Sequence, residues 1–174
     1  MKNIKVVRVI FFLLIMATFA VIFFFSSENG EKSGSTSRGV MRTIIDHYPP
    51  TKQLEEKEKE KIVEDAQPVI RKLAHFSAYT LAGINLMAFW ATFQEKKKSK
   101  RVLLALICGI VFAISDEFHQ LFSVGRTARI FDVGVDSLGV LFGIAIVNFV
   151  VWLFLKIKNK KQILGRELDV SKFS

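Results

Sequence analysis

The chain of 174 residues is 51% hydrophobic yet 24% charged, holds 17 Phe and carries a net charge of +9, with a mean hydropathy of +0.33. That balance excludes a disordered chain and a collagen-like repeat, and the single Cys108 excludes an internal disulfide scaffold. Apolar and charged residues that are both plentiful must occupy separate blocks, and their order decides between a basic nucleic-acid binder and a membrane protein.

Four stretches are apolar enough to suggest membrane helices, since a hydrocarbon core about 30 Å thick asks for roughly 20 helical residues. The first covers residues 6–25 and is interrupted only by Arg8. Its apolar run is long for a signal peptide, and Phe23, Phe24, Phe25, Ser26 and Ser27 offer no A-x-A-like cleavage site, so a retained helix is expected. Next comes the segment 26–70, whose run from Ser33 through Gly34, Ser35, Thr36, Ser37 and Arg38 to Gly39 reads as a flexible linker. From Val40 to Asp46 apolar and polar residues alternate, ending at His47, Tyr48, Pro49 and Pro50. Thr51 is placed to cap a charged helix that reaches about Gln67 and is stopped by Pro68. Ile62, Val63, Ala66 and Val69 give that helix one weakly apolar face, suited to resting on lipid headgroups or, alternatively, to covering a site.

The second apolar stretch, 73–93, carries His75 near its start. The third begins at Val102 and is purely apolar only as far as Ile114, about 20 Å of helix at 1.5 Å per residue. To cross, it must continue through Ser115, Asp116, Glu117, Phe118, His119, Gln120, Leu121 and Phe122, which draws ionisable groups into a medium where each costs several kcal/mol unless partnered. The fourth, 133–155, carries Asp136 near its start.

Basic residues in short loops mark the cytoplasmic side. Lys2, Lys5 and Arg8 open the chain; Lys96, Lys97, Lys98, Lys100 and Arg101 fill the turn between the second and third stretches; and Lys156, Lys158, Lys160, Lys161, Arg166 and Lys172 follow the fourth. Only Glu95, Glu167 and Asp169 oppose them there. The expected fold is therefore all-α and polytopic, with four transmembrane helices and both termini inside. The parts are a first helix at 1–25, an extracytoplasmic linker and charged helix at 26–70, a three-helix core at 71–155 and a basic tail at 156–174. The positive surplus sits in juxtamembrane collars facing lipid rather than in an aromatic-studded groove, which argues for the bilayer as partner and against nucleic acid.

On this topology the unusual residues converge at the outer side. Arg71, His75 and Tyr79 recur at i, i+4, i+8, with Lys72 beside them, and Asp116, His119 and Gln120 recur at i, i+3, i+4, with Glu117 beside them. A short turn supplies Arg126 and Arg129, and Asp132 and Asp136 share a face of the last stretch, along which Gly139 and Gly143 form a small-xxx-small pattern. Intramembrane charges are functional-site candidates by default.

These residues resemble the VanZ-like membrane proteins, a family whose founding member is associated with resistance to the glycopeptide antibiotic teicoplanin. The resemblance rests on Arg71 to Phe76 with Tyr79 and Gly83, on Ser115 to Phe122, on Gly125 and Arg126, and on Asp132, Val133, Asp136, Gly139 and Gly143; Phe25, Ser26 and Ser27 look like the family's first-helix ending. It implies a multi-pass protein of the bacterial cell membrane, with a cell-envelope or lipid-linked ligand and a contribution to glycopeptide resistance, and it names no reaction.

The residue types admit several chemistries. His75, Asp116, Glu117, His119 and Asp136 form the candidate catalytic set, a carboxylate orienting a histidine as general base. Arg71, Lys72, Tyr79, Gln120, Arg126 and Asp132 form the candidate ligand-binding set, in which arginines clamp an anionic headgroup. His75, His119 and Asp116 or Glu117 are also possible metal ligands, and Asp132 with Asp136 half of a Mg²⁺ site, although no zinc motif is present. No particular metal, cofactor or oligomeric state follows. The purely structural alternative pairs the charges with one another, Asp136 with Arg71 and Asp116 with His75, to lock helix register; transport lacks the broken helices and inverted repeats that would support it.

Overall fold

The computed structural model describes residues 2–27, 30–123 and 129–170, with side chains placed for 3–27, 34–123 and 129–162. Five helices and no strand occur among them: α1 (Lys2–Ser26), α2 (Gly30–His47), α3 (Glu56–Ala91), α4 (Lys98–Gln120) and α5 (Ile130–Val170), with a 3-10 turn at Pro49–Thr51.

The all-α expectation holds, and three helices are long and apolar enough to cross a membrane: Asn3–Ser26, Lys98–Gln120 and Ile130–Gln162. The apolar half of α3 falls short of that composition because His75, Ser77, Tyr79, Thr80 and Asn85 interrupt it. Its position explains the tolerance. α3 packs against α1, α2, α4 and α5, burying Tyr79, Ala82, Gly83, Asn85, Leu86 and Met87, so it needs less apolar surface than a helix facing lipid. The outer faces carry large exposed side chains such as Leu13, Phe24, Phe118, Phe142 and Phe154, the surface expected of a protein solvated by acyl chains.

The core holds α1, α3, α4 and α5 together. Phe19 and Phe112 stack with ring centroids 3.5 Å apart, and Asn85 Nδ2 donates to Thr18 Oγ1 at 2.9 Å, a polar link between α3 and α1. The α3–α5 contact rests on missing side chains. A Cβ on Gly139 would lie 2.6 Å from Phe76 O; one on Gly143 would strike Thr80 O and lie 2.8 Å from Ile84 N; and one on Gly83 would strike Val140 O. The Gly139/Gly143 spacing thus does what its pattern predicts, bringing backbones into contact.

Helix ends sort into two groups. At one end, Arg8 Nε and Nη2 donate to Thr92 Oγ1 at 3.1 Å and Thr92 O at 3.0 Å, with its guanidinium 3.9 Å from the centroid of Phe93. Arg101 Nη1 donates to Ala91 O at 3.2 Å. Two arginines, from the starts of α1 and α4, therefore meet the carbonyl end of α3, where helix termini favour cations. At the opposite end lie the last turns of α1 and α4 and the first of α5.

The segment before α3 departs from expectation. The Ser/Gly-rich run and the alternating stretch after it belong to a single helix, α2, which packs on α3. Ser37, Met41 and Ile45, spaced i, i+4, i+8, form its inner stripe, with Ile45 2% exposed and Val63 of α3 fully buried. Pro68 does not stop the charged helix, which continues unbroken as α3. Proline removes the N–H that would bond the Glu64 carbonyl, but both residues are exposed, so solvent can satisfy that carbonyl. Nor does Thr51 cap α3: its hydroxyl donates to Ile45 O at 2.6 Å and Tyr48 O at 2.9 Å. The cap is Glu55, in a reciprocal capping box with Glu58. Arg42 of α2 bonds both Asp46 and Glu56, which holds the Glu56 carboxyl below the usual carboxylate range and raises the guanidinium in turn. At the other terminus, α5 runs past the apolar stretch into the basic segment as far as Val170.

Candidate functional site

The end of the bundle away from Arg8 encloses a cavity of about 410 Å³. Each of four helices contributes to it. α3 supplies Gln67, Pro68, Arg71, Lys72 and His75; α4 supplies Glu117 and Gln120; α5 supplies Asp132, Val135 and Asp136; α2 supplies Gly34 and Ser37, with Arg129 just before α5. α2 is fastened here by Gln67 Nε2, which donates to Gly34 O at 2.8 Å. A Cβ on Gly34 would lie 2.7 Å from that amide, so glycine permits the contact.

The cations line the rim. Lys72 Nζ lies 2.9 Å from Asp132 Oδ1, an ion pair by distance without hydrogen-bond alignment, and 4.2 Å from the centroid of the Phe131 ring. The Arg129 backbone N–H donates to Glu117 Oε2 at 3.0 Å. Arg71 is half-buried at the rim and forms no ion pair with Asp136 among the described residues. The pairing expected of a register network is thus redistributed: Asp136 faces His75, whose Nδ1 is 3.7 Å from Asp136 Oδ1, and Asp132 takes Lys72.

Beneath the rim lies a carboxylate floor. Asp116 is fully buried and Asp136 is 1% exposed. Gln120 Nε2 donates to Asp116 Oδ2 at 3.2 Å and the buried Ser26 hydroxyl lies beside the same carboxyl, while Asp136 Oδ2 is buried without a hydrogen-bond partner. His75, Asp116 and Asp136 each present one donor atom, all within 4.8 Å of one another.

Not every expected residue joins this cluster. His119 turns toward α1: its Nε2 lies 2.9 Å from Ser27 Oγ and its ring meets Phe23 edge-on, centroids 5.4 Å apart. Tyr79 is fully buried one turn deeper, its hydroxyl 3.5 Å from Phe112 O and beside the Asp116 carboxyl, so it adjoins the floor without lining the cavity. Arg126 lies outside the described residues. Conversely, the cavity uses Gly34, Ser37, Gln67, Pro68 and Val135, which by composition belong to a linker, a charged helix and its stop, and an apolar span; the helical spacing of Ser37, Met41 and Ile45 is the available signal. Arg129, by sequence a turn cation, lines the cavity as well.

Chemically, the arrangement offers cations to an anion at the rim, an imidazole–carboxylate pair that can move a proton, and carboxylate oxygens that can hold a metal. In comparison with known proteins, the family model described as VanZ/LLP1 aligns with residues 11–153. No curated protein and no solved structure matches the chain significantly.

Proposed function

The chain belongs to the VanZ/LLP1 family, and we propose that it is a four-span membrane protein whose cavity opens outward and binds the anionic headgroup of a lipid-linked or cell-envelope ligand, thereby contributing to glycopeptide resistance. Three spans are the apolar helices Asn3–Ser26, Lys98–Gln120 and Ile130–Gln162; the fourth is the inner half of α3, enclosed by its neighbours. The observation that carries the reading is the sorting of charge by helix end. Lys5, Arg8, Lys98, Lys100 and Arg101 gather at the end where α1 and α4 begin and α3 finishes, whereas the cavity occupies the other end. Basic collars inside and a polar cavity outside follow from the preference of cytoplasmic loops for Lys and Arg.

The ligand class follows from the rim. Arg71, Lys72 and Arg129 stand around the cavity mouth, and a mouth at the end of the spans would meet lipid headgroups. With full-length protein in nanodiscs, a lipid bearing a phosphate monoester should be retained over a zwitterionic lipid, as read by native mass spectrometry. Arg71→Ala with Lys72→Ala should weaken that retention by roughly 10- to 100-fold, the equivalent of one or two charge-assisted hydrogen bonds, while Lys98→Ala at the opposite end leaves it unchanged. Equal retention of both lipids by the wild type would sink the reading.

A second reading has its own support. The Lys72–Asp132 and His75–Asp136 pairs join α3 to α5, as a network that only fixes helix register would. It leaves the cavity and the unpartnered Asp136 Oδ2 without a purpose.

A further inference from the structure

The floor of the cavity has a composition that headgroup binding does not explain. An anionic ligand entering past Lys72 meets Asp132, Asp136 and Glu117, with Asp116 buried behind them. Carboxylates repel such a ligand unless a cation stands between.

The geometry points to a divalent transition-metal site formed by His75, Asp116 and Asp136, one donor each from α3, α4 and α5. Three observations carry it. First, the donor atoms lie within 4.8 Å of one another. A tetrahedral ion with bonds of about 2.1 Å holds its ligands about 3.4 Å apart, so closure needs side-chain shifts of about 1 Å or less. The His75 Nδ1–Asp136 Oδ1 gap of 3.7 Å is too long for a hydrogen bond and close to that ligand–ligand spacing. Second, Asp136 Oδ2, on a residue 1% exposed, has no hydrogen-bond partner, whereas buried carboxylate oxygens normally do. Third, Asp116 is already oriented: Gln120 Nε2 holds its Oδ2 at 3.2 Å and the Ser26 and Tyr79 hydroxyls lie beside the carboxyl, the arrangement in which outer partners fix a metal-binding carboxylate.

Charge balance agrees. Two carboxylates and a neutral imidazole around a divalent cation sum to zero, which removes the burial penalty that two unpaired charges would carry inside a membrane. One imidazole nitrogen with two carboxylate oxygens suits Zn²⁺ or Mn²⁺ better than Mg²⁺ or Ca²⁺, which prefer all-oxygen sites. Three protein ligands leave a coordination position open toward the cavity, where a phosphate or carboxylate oxygen can bind.

The test uses the full-length protein in detergent, stripped with chelator, dialysed against Zn²⁺, Mn²⁺, Mg²⁺ or Ca²⁺ in turn and measured by elemental mass spectrometry and calorimetry. The wild type should retain about one equivalent of Zn²⁺ or Mn²⁺ and show a higher melting temperature with it. His75→Ala, Asp116→Asn and Asp136→Asn should each weaken retention at least 10-fold, and His119→Ala and His47→Ala should not. Where a ligand variant fails to fold, Gln120→Ala decides, because loss of an outer-shell partner lowers metal affinity about 10- to 100-fold. A wild type that retains no metal, or a folded Gln120→Ala, His75→Ala or Asp116→Asn variant that binds as wild type does, overturns the site. Metal retained without any preference for phosphate-headed lipid rejects the headgroup reading alone; the preference without metal rejects the metal alone.

Discussion

Gly143→Leu should prevent the bundle from assembling, so that little monodisperse protein survives extraction into mild detergent. The new Cβ would strike Thr80 O and lie 2.8 Å from Ile84 N and 3.1 Å from Gly83 C. All are backbone atoms of α3, and backbone cannot rotate out of the way as a side chain does. Overpacking a formed core typically costs about 1–3 kcal/mol; here two helices must move apart along the contact that Gly83, Gly139 and Gly143 create, and the loss should exceed that range. The floor of the cavity would be lost with it, since His75 and Asp136 face each other across the same α3–α5 contact. Gly134 is the internal control. It lies on α5 with nothing within 4 Å of a built Cβ, so Gly134→Leu should fold as wild type does, and Gly134→Ala should be stabilised by about 0.5–1 kcal/mol through helix propensity. Equal behaviour of the Gly143 and Gly134 leucine variants, read by denaturant titration in detergent, would contradict the packing account.

The second large effect separates chemistry from structure. Because Asp136 is a ligand of the proposed metal that would hold the headgroup, Asp136→Asn should abolish retention of phosphate-headed lipid and any protection against a glycopeptide, while the metal-free fold stays within about 1 kcal/mol of wild type, the scale of one net hydrogen bond. Removing one member of a buried ion pair is severe when it strands the other charge. His75 can instead rest as the neutral imidazole, and Asp136 Oδ2 already lacks a partner, so the isosteric amide leaves no new unpaired charge. A register network predicts the reverse, a protein that unfolds with its function. Chemical denaturation and lipid retention measured on one preparation distinguish the two outcomes.

Much of this architecture is legible in the amino-acid order because membranes impose long apolar runs that leave little room for ambiguity. The Gly139/Gly143 contact and the convergence of His75, Asp116 and Asp136 are visible as soon as the helices are given directions. Other features depend on tertiary contact. The run from Ser33 to Gly39 has a linker's composition, yet it is helical, with Ser37 buried against α3 and Gly34 admitting Gln67; packing overrides local propensity there. Pro68 ends a helix by rule, but on an exposed face the carbonyl it leaves unbonded has solvent to turn to. His119 shares a helix face with Asp116 only loosely, since three residues leave it about 60° around the axis, enough to direct it to Ser27 of α1 instead of the floor. Interfaces of this kind cannot be read from one helix's periodicity.

Everything proposed for the cavity depends on which side of the membrane it faces. Single cysteines at Ser123, beside the cavity end of α4, and at Ser99, at the start of α4, can be placed in a Cys108→Ser background and probed in intact cells with a membrane-impermeant thiol reagent. Labelling is expected at position 123, and at 99 only once the cells are opened. Labelling at 99 and none at 123 would turn the site to the cytoplasm and contradict the outward orientation.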